Sequence, residues 1–147
     1  MTDPASIRRL YGRRTGHKLR TGQAALVEDM LPRLSLPPAG TITPEALFGD
    51  DRPLWLEIGF GRGEHMAGQA AANPGVGIIG AEPFLDGVVG ALIEVQERGL
   101  TNIRLHNGDA LDVLDRLPDA SLDKVFLLHP DPWPKVRHAK RRFANPG

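Results

Sequence analysis

The chain has 147 residues, no cysteine, and 18 Lys/Arg against 18 Asp/Glu. That length suffices for one domain with a sizeable core, while the missing thiols exclude a disulfide framework or a thiolate metal site. No apolar run approaches the roughly 18–20 residues of a membrane span, and no apolar segment behind the Arg-bearing N-terminus reads as a signal peptide, so a cytoplasmic protein is expected. The first 22 residues are basic and punctuated by Gly and Thr, as in an arm rather than a packed element. Leu26, Val27, Met30 and Leu31 then share one helical face, and Pro32 is expected to stop that helix. From Leu36 to Pro53, Pro37, Pro38, Pro44 and Pro53 stand among Gly and Asp, the composition of a linker.

Leu54 to Ile58 is a short apolar run ending in glycines, consistent with a buried parallel strand. A helix from about Glu64 to Ala72 follows, closed by Asn73-Pro74-Gly75, and Gly77 to Glu82 makes a second strand. Val88, Ala91, Leu92 and Val95 fall at i, i+3, i+4 and i+7 of an amphipathic helix ending at Gly99. Asn102 to His106 is a third strand, Leu111 and Leu114 mark a short helix, and Leu122 to Leu128 is a fourth strand apolar enough to be central. Strands alternating with helices predict an α/β fold with a parallel, doubly wound sheet. The expected organisation is a basic arm and helix over residues 1–35, a linker over 36–53 and a domain over 54–147.

The neutral total conceals a division. Residues 1–35 carry seven Lys/Arg against three acids, residues 36–134 six against fifteen, and residues 135–147 five against none. Two basic ends around an acidic middle are the footprint of polyanion binding, with a pair of solvated ends as the plainer alternative. Ligands of a doubly wound sheet gather at the carboxyl ends of its strands. The four segments there hold Glu57-Ile58-Gly59-Phe60-Gly61-Arg62-Gly63, Glu82-Pro83-Phe84, Asn107-Gly108-Asp109-Ala110 and Pro130-Asp131-Pro132-Trp133, each with an acid.

A dinucleotide site wants Gly-x-Gly-x-x-Gly, but here Glu64 takes the place of the third glycine. A carboxylate at that helix N-terminus repels a pyrophosphate. The expected cofactor therefore lacks phosphates and carries positive charge, which S-adenosyl-L-methionine satisfies. In that reading Gly59 and Gly61 form the loop, Glu57 faces the amino-acid or sulfonium end, Glu82 accepts the ribose hydroxyls, and Asp109 takes the adenine amino group. A structural turn with incidental acids is the competing account. The histidines His17, His65, His106, His129 and His138 are scattered, suggest no metal set, and read as structural or solvated.

With Leu56 to Glu64, Gly80-Ala81-Glu82-Pro83-Phe84, Gly108-Asp109-Ala110, and Leu127 to Lys135 followed by Arg137-His138-Ala139-Lys140-Arg141-Arg142, the chain resembles the tRNA (guanine-N7)-methyltransferase family of the bacterial class I type. Gly12-Arg13-Arg14-Thr15-Gly16 and Gln23 look like that family's entry segment, so the resemblance covers nearly the whole chain. It implies a Rossmann-like class I methyltransferase that moves a methyl group from S-adenosylmethionine to guanine N7 in tRNA. It further implies cofactor contacts at Glu57, Glu82, Asp109 and Asp131, with Asp131 catalytic. A substrate contact at Lys135 and RNA contacts at Arg137, His138, Lys140, Arg141 and Arg142 follow from the same resemblance. A monomer is expected. The family continues past this point with further strands and helices, so a fragment without the C-terminal strands, and without part of the guanine pocket, is expected.

Guanine N7 has an in-plane lone pair and no proton, so the work is positioning rather than base catalysis. Asp131 is then expected to orient the base or the methyl donor, and Trp133 either stacks on the base or packs the Pro-rich loop. Competing readings are an RNA-binding fragment without activity, a nucleic-acid amino-methyltransferase, whose fourth-strand loop has a different order, and, more distantly, an NAD-dependent oxidoreductase.

Overall fold

A computed structural model describes residues 21–128 of the chain. The described elements are α1 (Thr21–Leu34), α2 (Pro44–Phe48), β1 (Leu54–Ile58), α3 (Glu64–Ala72), β2 (Gly77–Ala81), α4 (Leu85–Arg98), β3 (Ile103–His106), α5 (Ala110–Leu114) and β4 (Leu122–Leu127). The four strands form one sheet in the order β3-β2-β1-β4, and every pairing is parallel. The expected doubly wound α/β arrangement is therefore present, with β1 at the centre and buried at every position. The chain steps from β1 outward to β2 and β3, then crosses to β4 on the other side. That reversal opens the carboxyl end of β1 as the natural ligand crevice.

Strand alternation divides the core between two faces. Trp55, Ile78, Ile103 and Leu105 join Val27, Met30 and Leu31 of α1, Met66 and Ala70 of α3, and the apolar stripe of α4. Leu54, Leu56, Ile58, Ile79 and Ala81 point the other way, against Ile42, Leu47 and Val113, Leu114 and Leu117 around α5. Glu57 lies between Leu56 and Ile58 on β1, and so on the face of α3 and α4.

Three expectations need correction. The linker is packed: Thr43 caps α2 by accepting from the Ala46 N–H at 3.1 Å, and Gly49 closes it with φ 82°. Ile42 is 0% exposed and Leu47 is buried, and Arg116 binds the segment by donating to the Gly40 and Pro37 carbonyls at 2.8 and 2.6 Å. Four prolines and two glycines here lie in a strap across the sheet instead of a spacer. Pro32 does not stop α1, which runs to Leu34. A proline near the end removes one donor, and the last turn still closes where Ser35 donates its N–H and hydroxyl to the Leu31 carbonyl. Finally, β4 is the outer strand among the described residues, with Asp123 and Lys124 exposed. Its apolar composition reflects Val125, Phe126 and Leu127 packing on both faces of the sheet beside β1.

One buried amide ties α3 to the start of β3. Asn102 donates Nδ2 toward the carbonyls of Ala70, Asn73 and Val76 at 3.1, 3.1 and 2.9 Å. Removing it leaves the C-terminal carbonyls of α3 without that donor, and a lost buried partner costs about 1–3 kcal/mol. An Asn102→Ala chain is expected to unfold in urea with about 2 kcal/mol less stability and an unchanged m-value. An unchanged midpoint would show that water replaces the amide without loss.

Candidate functional site

The loop between β1 and α3 carries Gly59, Gly61 and Gly63 at φ 65°, 61° and 84°. Its path is fixed by backbone bonds from Gly59 N–H to the Ala81 carbonyl at 2.8 Å and from Gly63 N–H to the Phe60 carbonyl at 2.9 Å. Gly63 is required for two reasons. Its positive φ disfavours a side chain, and a Cβ there would lie 2.8 Å from Ala91 Cβ and 2.9 Å from Ala91 Cα of α4. The loop is thus pressed against α4, whose Gly87 and Gly90 present bare backbone to the Gly61 and Arg62 carbonyls.

Glu57 is 0% exposed. Its Oε1 meets His65 Nδ1 at 2.7 Å, and its Oε2 is buried with no hydrogen-bond partner. Burial pushes the carboxyl above its ordinary value, and the contact with His65 works in the opposite direction. An enclosed carboxylate with one oxygen unanswered is costly unless a donor or cation completes it. Glu82 follows β2 and is also buried. Its Oε1 accepts from the Gly61 N–H at 2.9 Å and its Oε2 from the Phe84 N–H at 3.1 Å, which locks the carboxylate against the glycine loop. A carboxylate has about four acceptor positions, so two remain for a pair of hydroxyls.

Asp109 caps α5 by accepting from the Leu111 N–H at 2.8 Å. Between it and Glu82 stands Asn107, whose Nδ2 donates to the Glu82 and Pro83 carbonyls at 3.0 and 3.1 Å while its Oδ1 is buried without a partner. Glu57, Gly59, Gly61, Glu82 and Asp109 thus stand at the carboxyl ends of three adjacent strands, with Glu82 and Gly61 in direct contact. Asp131, Trp133, Lys135, Arg137, His138, Lys140, Arg141 and Arg142 lie outside the described residues, as do the arginines of the arm up to Arg20.

Two participants escape sequence reasoning. His65 is bonded to Glu57 rather than merely structural or solvated, and Asn107 braces the loops after β2 and β3. His65's place in the first turn after the glycine loop is its only sequence mark, and that place does not say that it meets Glu57. Nothing in the sequence marks Asn107 beyond its place before Gly108-Asp109.

The geometry suits a ligand with a cationic end near Glu57 and vicinal hydroxyls near Glu82. Phosphate is disfavoured by these acids and by Glu64 in the first turn of α3. No helix among the described residues is long and apolar enough to cross a membrane.

Residues 51–147 match the protein family described as "Putative methyltransferase". The chain is 61% identical over 145 residues to a tRNA (guanine-N(7)-)-methyltransferase of Zymomonas mobilis subsp. mobilis, covering 99% of this chain and 63% of that relative. It is 59% identical over 150 residues to one of the same name from Novosphingobium aromaticivorans, with 99% and 63% covered. The chain therefore spans about 63% of the length of these curated relatives. Among solved structures, precorrin-6y C5,15-methyltransferase from Geobacter metallireducens superposes with a TM-score of 0.57 at 20% identity, over 90% of this chain and 63% of that one, a likeness of fold.

Proposed function

The chain belongs to this methyltransferase family, and from that premise we propose that it binds S-adenosyl-L-methionine at the ends of β1, β2 and β3 and serves methylation of guanine N7 in tRNA. The observation that carries the reading is the enclosed Glu57 carboxylate with an unanswered Oε2 beside the glycine loop. Glu57 would hold the ammonium of the amino-acid end, Glu82 the ribose hydroxyls and Asp109 the adenine amino group. The glycine loop, Gly59 and Gly61 within it, would follow the ligand with bare backbone. When bound, this cofactor supplies a methyl carbon on a sulfonium.

Guanine N7 has an in-plane lone pair and no proton to lose, so the chain would need to supply no general base. The chain's task is to bring N7 in line at near-attack distance. Asp131 would orient the base and favour the positive charge that spreads into it. Lys135, Arg137, His138, Lys140, Arg141 and Arg142 would grip the RNA, their phosphate contacts fixing position without reading sequence. A cytoplasmic, monomeric protein completes this reading.

The test uses the full chain with methyl-labelled S-adenosylmethionine and unmodified tRNA, followed by digestion and mass analysis of the nucleosides. Label in 7-methylguanosine is expected, with a yield that drops steeply between about 50 and 200 mM salt. Binding of S-adenosylhomocysteine without transfer to tRNA would restrict the reading to the cofactor. No binding by the folded chain would overturn it.

A further inference from the structure

His65 returns over β1 because the glycine loop turns the chain back and α3 begins at Glu64, which puts the imidazole in its first turn. One nitrogen, Nδ1, is held by Glu57 at 2.7 Å. On the other side the ring lies edge-on to Phe126 of β4, with centroids 5.1 Å apart. Held by a carboxylate and an aromatic ring, the imidazole has a defined orientation. Its side chain remains 37% exposed, so it exchanges protons with solvent although its partner is fully enclosed.

We propose that His65 is a positioning residue of the cofactor site: it holds Glu57 by Oε1, leaves Oε2 as the open acceptor, and competes as a cation with the ligand's ammonium group. This rests on the reading of the site as an S-adenosylmethionine pocket. With His65 neutral, Nδ1–H donates to Oε1 and the pair keeps one negative charge for an incoming cation. With His65 protonated the pair is neutral, and a second cation gains little. Glu57 thus serves one cation at a time, and binding of the ammonium expels a proton from the imidazolium.

Of the other charged groups nearby, Lys124 and Glu82 are engaged elsewhere, while Arg62 and Glu64 of the loop and first turn face solvent. Lys124 of β4 is turned onto the Trp55 ring, 4.6 Å from its centroid. Glu82, beyond the neighbouring strand, is held by the Gly61 and Phe84 N–H groups. Glu64, next to His65, is exposed. Among the described residues, His65 is the ionisable partner whose charge acts on Glu57.

The experiment is calorimetric titration of the full chain with S-adenosylhomocysteine from pH 5.5 to 7.5, in two buffers of different ionisation enthalpy. The wild type is expected to release up to about one proton per ligand on the acid side, with affinity falling up to about tenfold per pH unit there and levelling off above. His65→Asn, whose amide reaches the place of Nδ1, is expected to bind within about threefold of wild type at pH 7.5 without the imidazole-linked release. His65→Phe, with no donor for Oε1, is expected to lose about tenfold or more at pH 7.5.

Proton release that persists unchanged in His65→Asn overturns the proposal and assigns the proton to Glu57 itself. Wild-type binding that is independent of pH overturns it while leaving the cofactor reading intact. A folded wild type that binds at no pH overturns both.

Discussion

A Glu57→Gln chain is expected to lose about 100-fold in affinity for S-adenosylhomocysteine at pH 7.5 and yet to resist urea better than the parent. The loss follows from removing the charge opposite an ammonium group in an enclosed place, where a broken charge pair costs about 2–5 kcal/mol and each 1.4 kcal/mol is about tenfold. The gain in stability follows from the same enclosure. Burial raises the Glu57 carboxyl above its ordinary value of 4.5, so the folded chain keeps this proton to higher pH than the unfolded chain. Between the ordinary value and the raised one the folded state holds more protons, and stability falls as pH rises. At pH 7.5 that cost is present and glutamine removes it. As pH drops through the ordinary carboxyl range both states become protonated, and the advantage of the variant closes. Urea midpoints at pH 4 and 7.5, beside calorimetry at pH 7.5, check both halves. Equal midpoints at the two pH values would mean that Glu57 ionises at no net cost in the folded chain.

A Gly87→Ala substitution is expected to be the most damaging single methyl group in the described fold. The added Cβ would lie 2.1 Å from the Gly61 carbonyl oxygen and 2.9 Å from Glu82 Cγ. Neither can yield cheaply, because Gly61 donates its N–H to Glu82 and Glu82 is held again by Phe84. Overpacking costs about 1–3 kcal/mol, and here α4 must back away from the glycine loop or the loop must shift Glu82. The expected result is a loss of about 3 kcal/mol in urea unfolding, with S-adenosylhomocysteine affinity lowered at least about tenfold in the fraction that folds. Gly68→Ala in α3 is the control, since its Cβ would meet nothing within 4 Å. There the same exchange should add about 0.5–1 kcal/mol through helix propensity and leave binding as it was. Loss of stability in both variants would point to a general intolerance rather than to the close approach at Gly87.

The alternation of elements was open to reading because each strand and helix carries its own periodicity. Leu54 to Ile58 and Glu64 to Ala72 stand where their patterns put them. The strap over residues 36–53 was missed because α2 has only five residues, too few to display a helical face. Its caps were nonetheless visible in Thr43-Pro44 and Gly49. The extension of α1 past Pro32 tolerates one unmade bond, and the turn closes where Ser35 donates to the Leu31 carbonyl, which a proline rule does not weigh. In the candidate site, strand order alone indicates that Glu57, Glu82 and Asp109 share a rim. The link from His65 to Glu57 and the brace of Asn107 depend on how a loop and a helix return in space, and residue spacing says nothing of either.

The strap also decides where this fold can be cut. Ile42 and Leu47 cover Leu54, Leu56 and Ile79, and Arg116, just after α5 on the same face, holds Pro37 and Gly40. A graft of this α/β unit that began at its first strand would carry an open seam along one whole sheet face. The transferable module starts upstream, at α1, and its first 33 described residues behave as a lid sewn onto the sheet from both sides.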